Sequence, residues 1–154
     1  MTPPDKTTVV QILRDISLLL QMKGENPFRS RAYDIAADRI AVLAEDLGGL
    51  VREDRLKEQP GIGQAISDKV AELMTTGRLS SYETLRAQLP AGVLELVKVP
   101  ELGPKKAVLL ARELGVDSVD ALEQACRDGR VRQVAGFGEK SETNLLAGIE
   151  LHRS

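Results

Sequence analysis

Three short glycine-containing turns are the residues of this chain best suited to bind a ligand. They are Gln59–Gly63 (turn 1), Val99–Gly103 (turn 2) and Val134–Gly138 (turn 3), and their last glycines lie 40 and 35 residues apart. Each turn opens a run with helical periodicity. A tight turn before a helix leaves main-chain N–H groups without internal acceptors, and such groups bind phosphate. Their repetition predicts contact with a nucleic-acid backbone.

Each position of a turn has its own expected role. The first glycine permits a positive φ, the second admits a phosphate because it has no Cβ, and the apolar residue between them packs into the core. Contacts of this kind position DNA without reading its sequence. The residues concerned are Gly61, Ile62 and Gly63 in turn 1, Leu102 and Gly103 in turn 2, and Gly136, Phe137 and Gly138 in turn 3.

Turn 2 departs from this pattern because Glu101 replaces the first glycine. Its negative charge near a bound phosphate would cost about 1 kcal/mol. Lys105 and Lys106 follow in the chain and offset part of that cost. Turn 2 is therefore ranked below turn 1 as a phosphate site.

The charge of the chain limits how it can bind nucleic acid. There are 21 Lys and Arg residues and 23 Asp and Glu residues, which gives a formal net charge of −2. Proteins that bind DNA by releasing counterions usually carry a basic excess. The interface must therefore be local and of modest affinity, and its expected basic residues are Lys23, Arg29, Arg31, Arg39, Lys105, Lys106 and Lys140.

Composition and periodicity predict an all-α fold. Hydrophobic residues make up 42% of the chain, but aromatic residues only 3%, so aliphatic side chains must form the core. The first helix is predicted from Thr7 to Met22 and the second from Pro27 to about Glu45, followed by a less regular stretch from Leu47 to Glu58. Ser80 and Glu83 predict a capping box. About nine short helices and no strand are expected, and the apolar face of the second helix is predicted from Phe28, Ala32, Ile35, Ala36, Ile40 and Leu43.

Other sequence features narrow the class of protein. No apolar run is long enough to span a membrane, and the N-terminus lacks the order of a signal peptide, so a cytoplasmic location is expected. Cys126 has no His or Cys nearby and is expected to be a small core residue. There is no Asp-x-Asp pair to hold two divalent metals, so the chain alone is not expected to be a polymerase.

The three turns resemble helix-hairpin-helix motifs, and Lys23–Tyr33 resembles the N-terminal region of bacterial family X DNA polymerases. The resemblance covers essentially the whole chain. It implies a lyase-type helical domain over residues 1–82 with the first motif, and a fingers-like helical domain over 83–154 with the second and third. A polymerase palm domain would then belong to a full-length parent.

The resemblance also implies a possible reaction. In this family the small domain removes a 5′-deoxyribose phosphate through a lysine Schiff base. Lys69 matches the nucleophile, Tyr33 a neighbouring tyrosine, and Arg29 a phosphate-binding position. Ala65 stands where active lyases carry a lysine, and the only histidine is His152. Asp68 and Glu72 flank Lys69 in sequence and are expected to favour its charged form.

A monovalent cation is the one cofactor that the resemblance implies, and none is required for binding. Na⁺ or K⁺ would be held by main-chain carbonyls near Lys57, Gln59 and Ile62 in turn 1. In turn 2 the corresponding carbonyls are those of Val97, Val99 and Leu102.

Three functions remain open at this point. The first is a module that binds the backbone of gapped, nicked or abasic DNA without sequence preference, in DNA repair. The second is a lyase that acts on abasic-site products through Lys69. The third is a protein-interaction scaffold in which the turns only connect helices.

Overall fold

Residues 3–154 are described by a computed structural model, in which every regular element is helical. The expected all-α fold is confirmed, with nine α-helices and no strand over these residues. A 3₁₀ helix precedes turn 1 (Leu56–Glu58) and turn 3 (Val131–Gln133). The α-helices are α1 Lys6–Met22, α2 Pro27–Ala41, α3 Leu47–Arg52, α4 Gln64–Thr76, α5 Ser80–Ala87, α6 Val93–Leu96, α7 Pro104–Leu114, α8 Val119–Arg127 and α9 Glu139–Arg153.

The chain forms two compact units, one ending at Arg86 and one from Ala87 to Ser154. The first contains turn 1 and the second contains turns 2 and 3. No helix among the described residues is long and apolar enough to cross a membrane.

In the first unit, α1 and α2 pack along each other. Asp5 caps α1 by accepting a hydrogen bond from the Thr8 N–H, and Asn26 caps α2, as the Asn26-Pro27 pair predicts. Polar contacts also join the helices, because Ser17 donates to Asp34 and Arg14 pairs with Asp38, each at 2.9 Å. Both carboxylates of α2 are thereby bound to α1.

The predicted apolar face of α2 is partly wrong. Phe28 is 78% exposed, Ile35 is 47% exposed and Ala32 is exposed too, so none of the three belongs to the core. Ala36 and Ile40 are buried as predicted, and Tyr33 and Ala37 complete the buried face. Two apolar stripes on one helix satisfy the same periodicity, and α1 covers the stripe with small residues, which allow the helices to approach closely.

Two local predictions also need correction. The stretch predicted to be irregular contains α3, which Asp46 caps by accepting from the Gly49 N–H at 2.9 Å. The capping box is absent, because Ser80 is the first residue of α5 and its hydroxyl donates to Glu72. Glu83 pairs instead with Arg78. The partner of Ser80 lies eight residues away in the chain, so local spacing cannot reveal it.

Helix α5 has no fully buried residue and packs on the core through the partly buried Tyr82 and Leu85. The Tyr82 hydroxyl donates to Asp15 of α1 at 3.0 Å, and Arg86 lies over the ring at 5.5 Å. Desolvation, together with the negative charge of Asp15, raises the pKa of Tyr82 to about 12. The protonated hydroxyl therefore joins α5 to α1 throughout the neutral pH range.

The second unit has its own aliphatic core, which includes Leu96, Leu110, Leu122 and Ile149. Ser118 caps α8 by accepting from the Ala121 N–H. Cys126 is buried, and desolvation raises the pKa of its thiol to about 11, which keeps it protonated. Its expected role as a small core residue agrees with this environment.

Candidate nucleic-acid interface

The three turns share one backbone geometry. In each, the N–H of the fourth residue donates to the carbonyl of the first: Ile62 to Gln59 at 3.1 Å, Leu102 to Val99 at 3.1 Å, and Phe137 to Val134 at 3.0 Å. The third residue has a positive φ, which is +86° at Gly61, +79° at Glu101 and +90° at Gly136. This combination is a type II turn, and it occurs directly before α4, α7 and α9.

Turn 1 presents main-chain donors at the start of α4. The N–H groups of Gly63, Gln64 and Ala65 have no hydrogen-bond acceptor among residues 3–154, and the first turn of α4 contains no acidic residue. Gly63 has an ordinary φ of −86°, and a Cβ placed there would have no atom within 4 Å. The backbone and the helix dipole thus leave an open position for an anion.

Turn 1 is anchored to α2. A Cβ at Gly61 would come within 2.8 Å of Ile35 Cγ2, so turn and helix are in close contact. Arg39 donates from Nε and Nη2 to the side-chain oxygen of Gln59, at 3.3 and 3.1 Å. Gln59 in turn donates to Glu45. The sequence shows Arg39 only as a basic residue, but its spacing of four from Ile35 places both on one helix face.

The predicted basic residues do not all lie beside turn 1. Arg31 precedes Ile35 by four residues and lies on the same side of α2. Arg29 precedes Arg31 by two residues, which places it about 200° away from Arg31 around the helix. Lys23 lies 3.9 Å from Glu25 at the end of α1, and Lys57 pairs with Asp54 at 2.9 Å. Arg31 and Arg39 are therefore the α2 cations on the side that contacts turn 1.

Turn 2 keeps the same backbone with an unfavourable residue. Glu101 is exposed and adopts the left-handed conformation that favours glycine. Gly103 has open space where a Cβ would lie, and α7 begins with Pro104, Lys105 and Lys106 and no acidic residue. Lys106 lies over the Phe137 ring at 5.9 Å.

Turn 3 satisfies more of its own groups. The Gly138 N–H donates to the Ser141 hydroxyl at 3.1 Å. The first turn of α9 contains Glu139 and Glu142, and both pair with Arg132.

Phe137 is only partly buried, so the expectation that it fills the core is wrong, whereas Ile62 and Leu102 are buried as predicted. Lys140 is exposed in the first turn of α9.

The sequence comparisons agree with the division of the chain into two units. Residues 4–79 match a family model described as a helix-hairpin-helix domain, and residues 93–150 match one described as a SAM-like helix-hairpin-helix tandem. The first range contains turn 1 and the second contains turns 2 and 3. The chain is also 35% identical over 144 residues, 94% of its length, to the DNA polymerase/3′-5′ exonuclease PolX of Bacillus subtilis (strain 168).

The chain is a helix-hairpin-helix protein related to the family X DNA polymerases. It spans 25% of the length of the Bacillus relative. The resemblance given by Lys23–Tyr33 and the three motifs is thereby confirmed.

In this helix-hairpin-helix chain the proposed nucleophile and its tyrosine have different environments. Lys69 lies half-buried on α4, and neither flanking carboxylate pairs with it, since Asp68 accepts from Gln64 and Glu72 from Ser80. Tyr33 is only 5% exposed within the core, and burial raises the pKa of its hydroxyl. Tyr33 therefore contributes to packing, and its ring offers little surface to a substrate.

The carbonyls named for a monovalent cation lie in the first two motifs. Gln59 and Val99 each use one lone pair of the carbonyl for the turn hydrogen bond, and a carbonyl oxygen has a second. No group of three or more His, Cys, Asp or Glu side chains that could hold a metal occurs among residues 3–154.

Proposed function

We propose that this chain binds the DNA phosphate backbone without sequence preference, chiefly through turn 1. The observation that carries the proposal is the set of unpaired N–H groups at Gly63, Gln64 and Ala65, next to a glycine with open space in front of it. Backbone donors at a helix N-terminus bind phosphate and carry no base specificity. Arg31 and Arg39 supply positive charge on the adjacent face of α2.

The Bacillus relative supports DNA as the nucleic acid, because that protein is a DNA polymerase and exonuclease. DNA with gaps, nicks or abasic sites is the proposed target in DNA repair, since such sites let two motifs hold two strand segments. The formal net charge of −2 is consistent with a contact that is confined to a few phosphates.

Gly63→Val is expected to weaken DNA binding by about tenfold or more. Two or three hydrogen bonds to a charged phosphate are worth about 1.5–3 kcal/mol each, and a valine side chain would occupy the phosphate position. The fold should be unaffected, because φ at Gly63 is −86° and no atom lies within 4 Å of the added Cβ. Titrations of labelled gapped and intact duplexes at several salt concentrations measure the effect.

Gly61→Val is less informative, because φ is +86° and the Cβ would press on Ile35. Gly63→Val should stay folded and melt cooperatively, with a loss of about 1 kcal/mol because valine is a poorer N-cap than glycine. An unchanged dissociation constant for Gly63→Val, or no DNA binding by the unaltered protein at low salt, would contradict the proposal.

We propose lyase activity at Lys69 as a second candidate function, favoured by the lack of an ion pair between Lys69 and Asp68 or Glu72. The amine would attack the sugar aldehyde and release water to form a Schiff base, which borohydride reduces to a stable amine. A trapped adduct with a 5′-deoxyribose phosphate substrate is expected, with loss in Lys69→Ala and retention in the control Lys98→Ala. If no adduct forms, or both variants retain it, this function is excluded.

We also propose that Na⁺ or K⁺ strengthens the DNA contact at the first two motifs. The carbonyls of Lys57, Gln59 and Ile62 would bind the cation in turn 1, and those of Val97, Val99 and Leu102 in turn 2. Replacing KCl by tetramethylammonium chloride at equal ionic strength is expected to weaken binding about threefold or more, because the larger cation cannot fit among carbonyls. Equal affinity in both salts would argue against a bound cation.

A further inference from the structure

Glu101 occupies an unfavourable backbone conformation with no internal compensation. Its φ is +79°, and it is exposed. Among the described residues, none forms an ion pair or a hydrogen bond with its carboxylate. A residue other than glycine in the left-handed region persists only where the surroundings or the function require it.

The third residues of turns 1 and 3 show that this turn forms with glycine and requires no side chain at that position. Gly61 and Gly136 have φ values of +86° and +90°, and all three turns make the same hydrogen bond. Packing does not explain Glu101 either, because its side chain lies outside the core. What the side chain adds to turn 2 is a negative charge two residues before Gly103, the N-cap of α7.

We propose that Glu101 weakens the phosphate contact of turn 2, so that turn 1 makes the stronger backbone contact of this chain. This inference rests on the DNA-binding function proposed above. The carboxylate repels a phosphate that approaches the start of α7. Lys106, one of the two neighbouring cations, lies over the Phe137 ring. Lys105 is the other cation at the start of α7.

Turn 3 reaches a similar state by another route. The Gly138 N–H is already bound to Ser141, and the first turn of α9 contains Glu139 and Glu142, both of which pair with Arg132. Turn 1 has neither feature, since its N–H groups lack acceptors and α4 begins without an acidic residue. The three turns thus share one backbone conformation but differ in the free N–H groups and charged side chains near the start of the following helix.

The test is a gain of binding. Glu101→Gly and Glu101→Gln are each expected to tighten binding to a gapped duplex about three- to tenfold at low salt and to steepen the salt dependence by about one phosphate contact. Glu113→Gln removes the same charge from the exposed far end of α7 and is the matched control, expected to change affinity less than about twofold. Adding Gly103→Val to Glu101→Gly should abolish the gain.

The outcomes separate the two proposals. If the unaltered protein binds DNA but Glu101→Gln does not tighten binding, or Glu113→Gln tightens it equally, the role of Glu101 is refuted and the DNA-binding function stands. A gain in Glu101→Gly alone assigns the effect to turn conformation and also overturns the charge-based role. If neither the unaltered protein nor any Glu101 variant binds, both proposals fail.

Discussion

Gly92→Ala is expected to destabilise the second unit by more than about 3 kcal/mol, the largest effect of any single substitution considered. Gly92 is the N-cap of α6 with φ +82°, and a Cβ there would overlap the carbonyl oxygen of Asp117. The neighbour is backbone, so no rotamer change can relieve the overlap. Chemical denaturation followed by circular dichroism measures the loss.

Gly115→Ala is the matched control for Gly92→Ala. Gly115 has a similar φ of +69° and lies in the same unit, but nothing stands within 4 Å of its Cβ position. It should therefore cost only the left-handed conformation, about 1–2 kcal/mol. Equal losses in the two variants would show that the approach of Gly92 to Asp117 does not constrain the fold.

Glu142→Gln is expected to lower the melting temperature by about 5–10 °C. The Glu142 side chain is only 4% exposed, and its carboxylate accepts from Arg132 through the main-chain N–H at 2.9 Å and Nε at 2.8 Å. The amide group of glutamine replaces one acceptor oxygen with a donor, which leaves part of the guanidinium without a partner. Differential scanning calorimetry provides the measurement.

The stabilisation by Glu142 should depend on pH. Hydrogen bonds from Arg132 hold the pKa of Glu142 below its ordinary value. Its contribution is therefore present above the ordinary carboxyl pKa and is lost as pH falls through the lower folded-state pKa. The difference between the unaltered protein and Glu142→Gln should shrink in acid.

Glu139→Gln separates the buried contact from the exposed one. Glu139 pairs with the same arginine, but its side chain is 79% exposed. Its loss should change the melting temperature by less than about 2 °C, because exposed ion pairs contribute little. A comparable loss in both variants would show that burial does not strengthen the contact.

Much of the fold could be predicted from local signals. Asn26 and Ser118 are residue types that favour helix N-caps, and Gly77 and Gly115 end helices with left-handed backbone, because each preference arises within a few residues. The buried face of α2 could not be predicted, since the periodicity fits both stripes and the choice depends on contact with α1. The Ser80 capping box failed for the same reason, because Glu72 lies eight residues away.

The candidate site was predictable at its backbone and less so at its side chains. Pro60 and Gly61 specify a type II turn, and a helix start follows from the next residues. The link from Arg39 to Gln59 spans 20 residues and has no motif. The sequence also shows the negative charge of Glu101, but only the structure shows that this residue has a positive φ and no internal partner.

Gly63, Gly103 and Gly138 are helix N-caps that have ordinary or extended backbone and space around them. Nothing in folding requires glycine at these positions, and Ser, Asp or Asn would cap the helices better than glycine or about as well. A protein engineer who optimised this chain for thermostability alone would replace all three. The product would gain at most a few tenths of a kcal/mol at each position and lose the open surface in front of α4, so Gly63 above all should be held constant in any stabilised version.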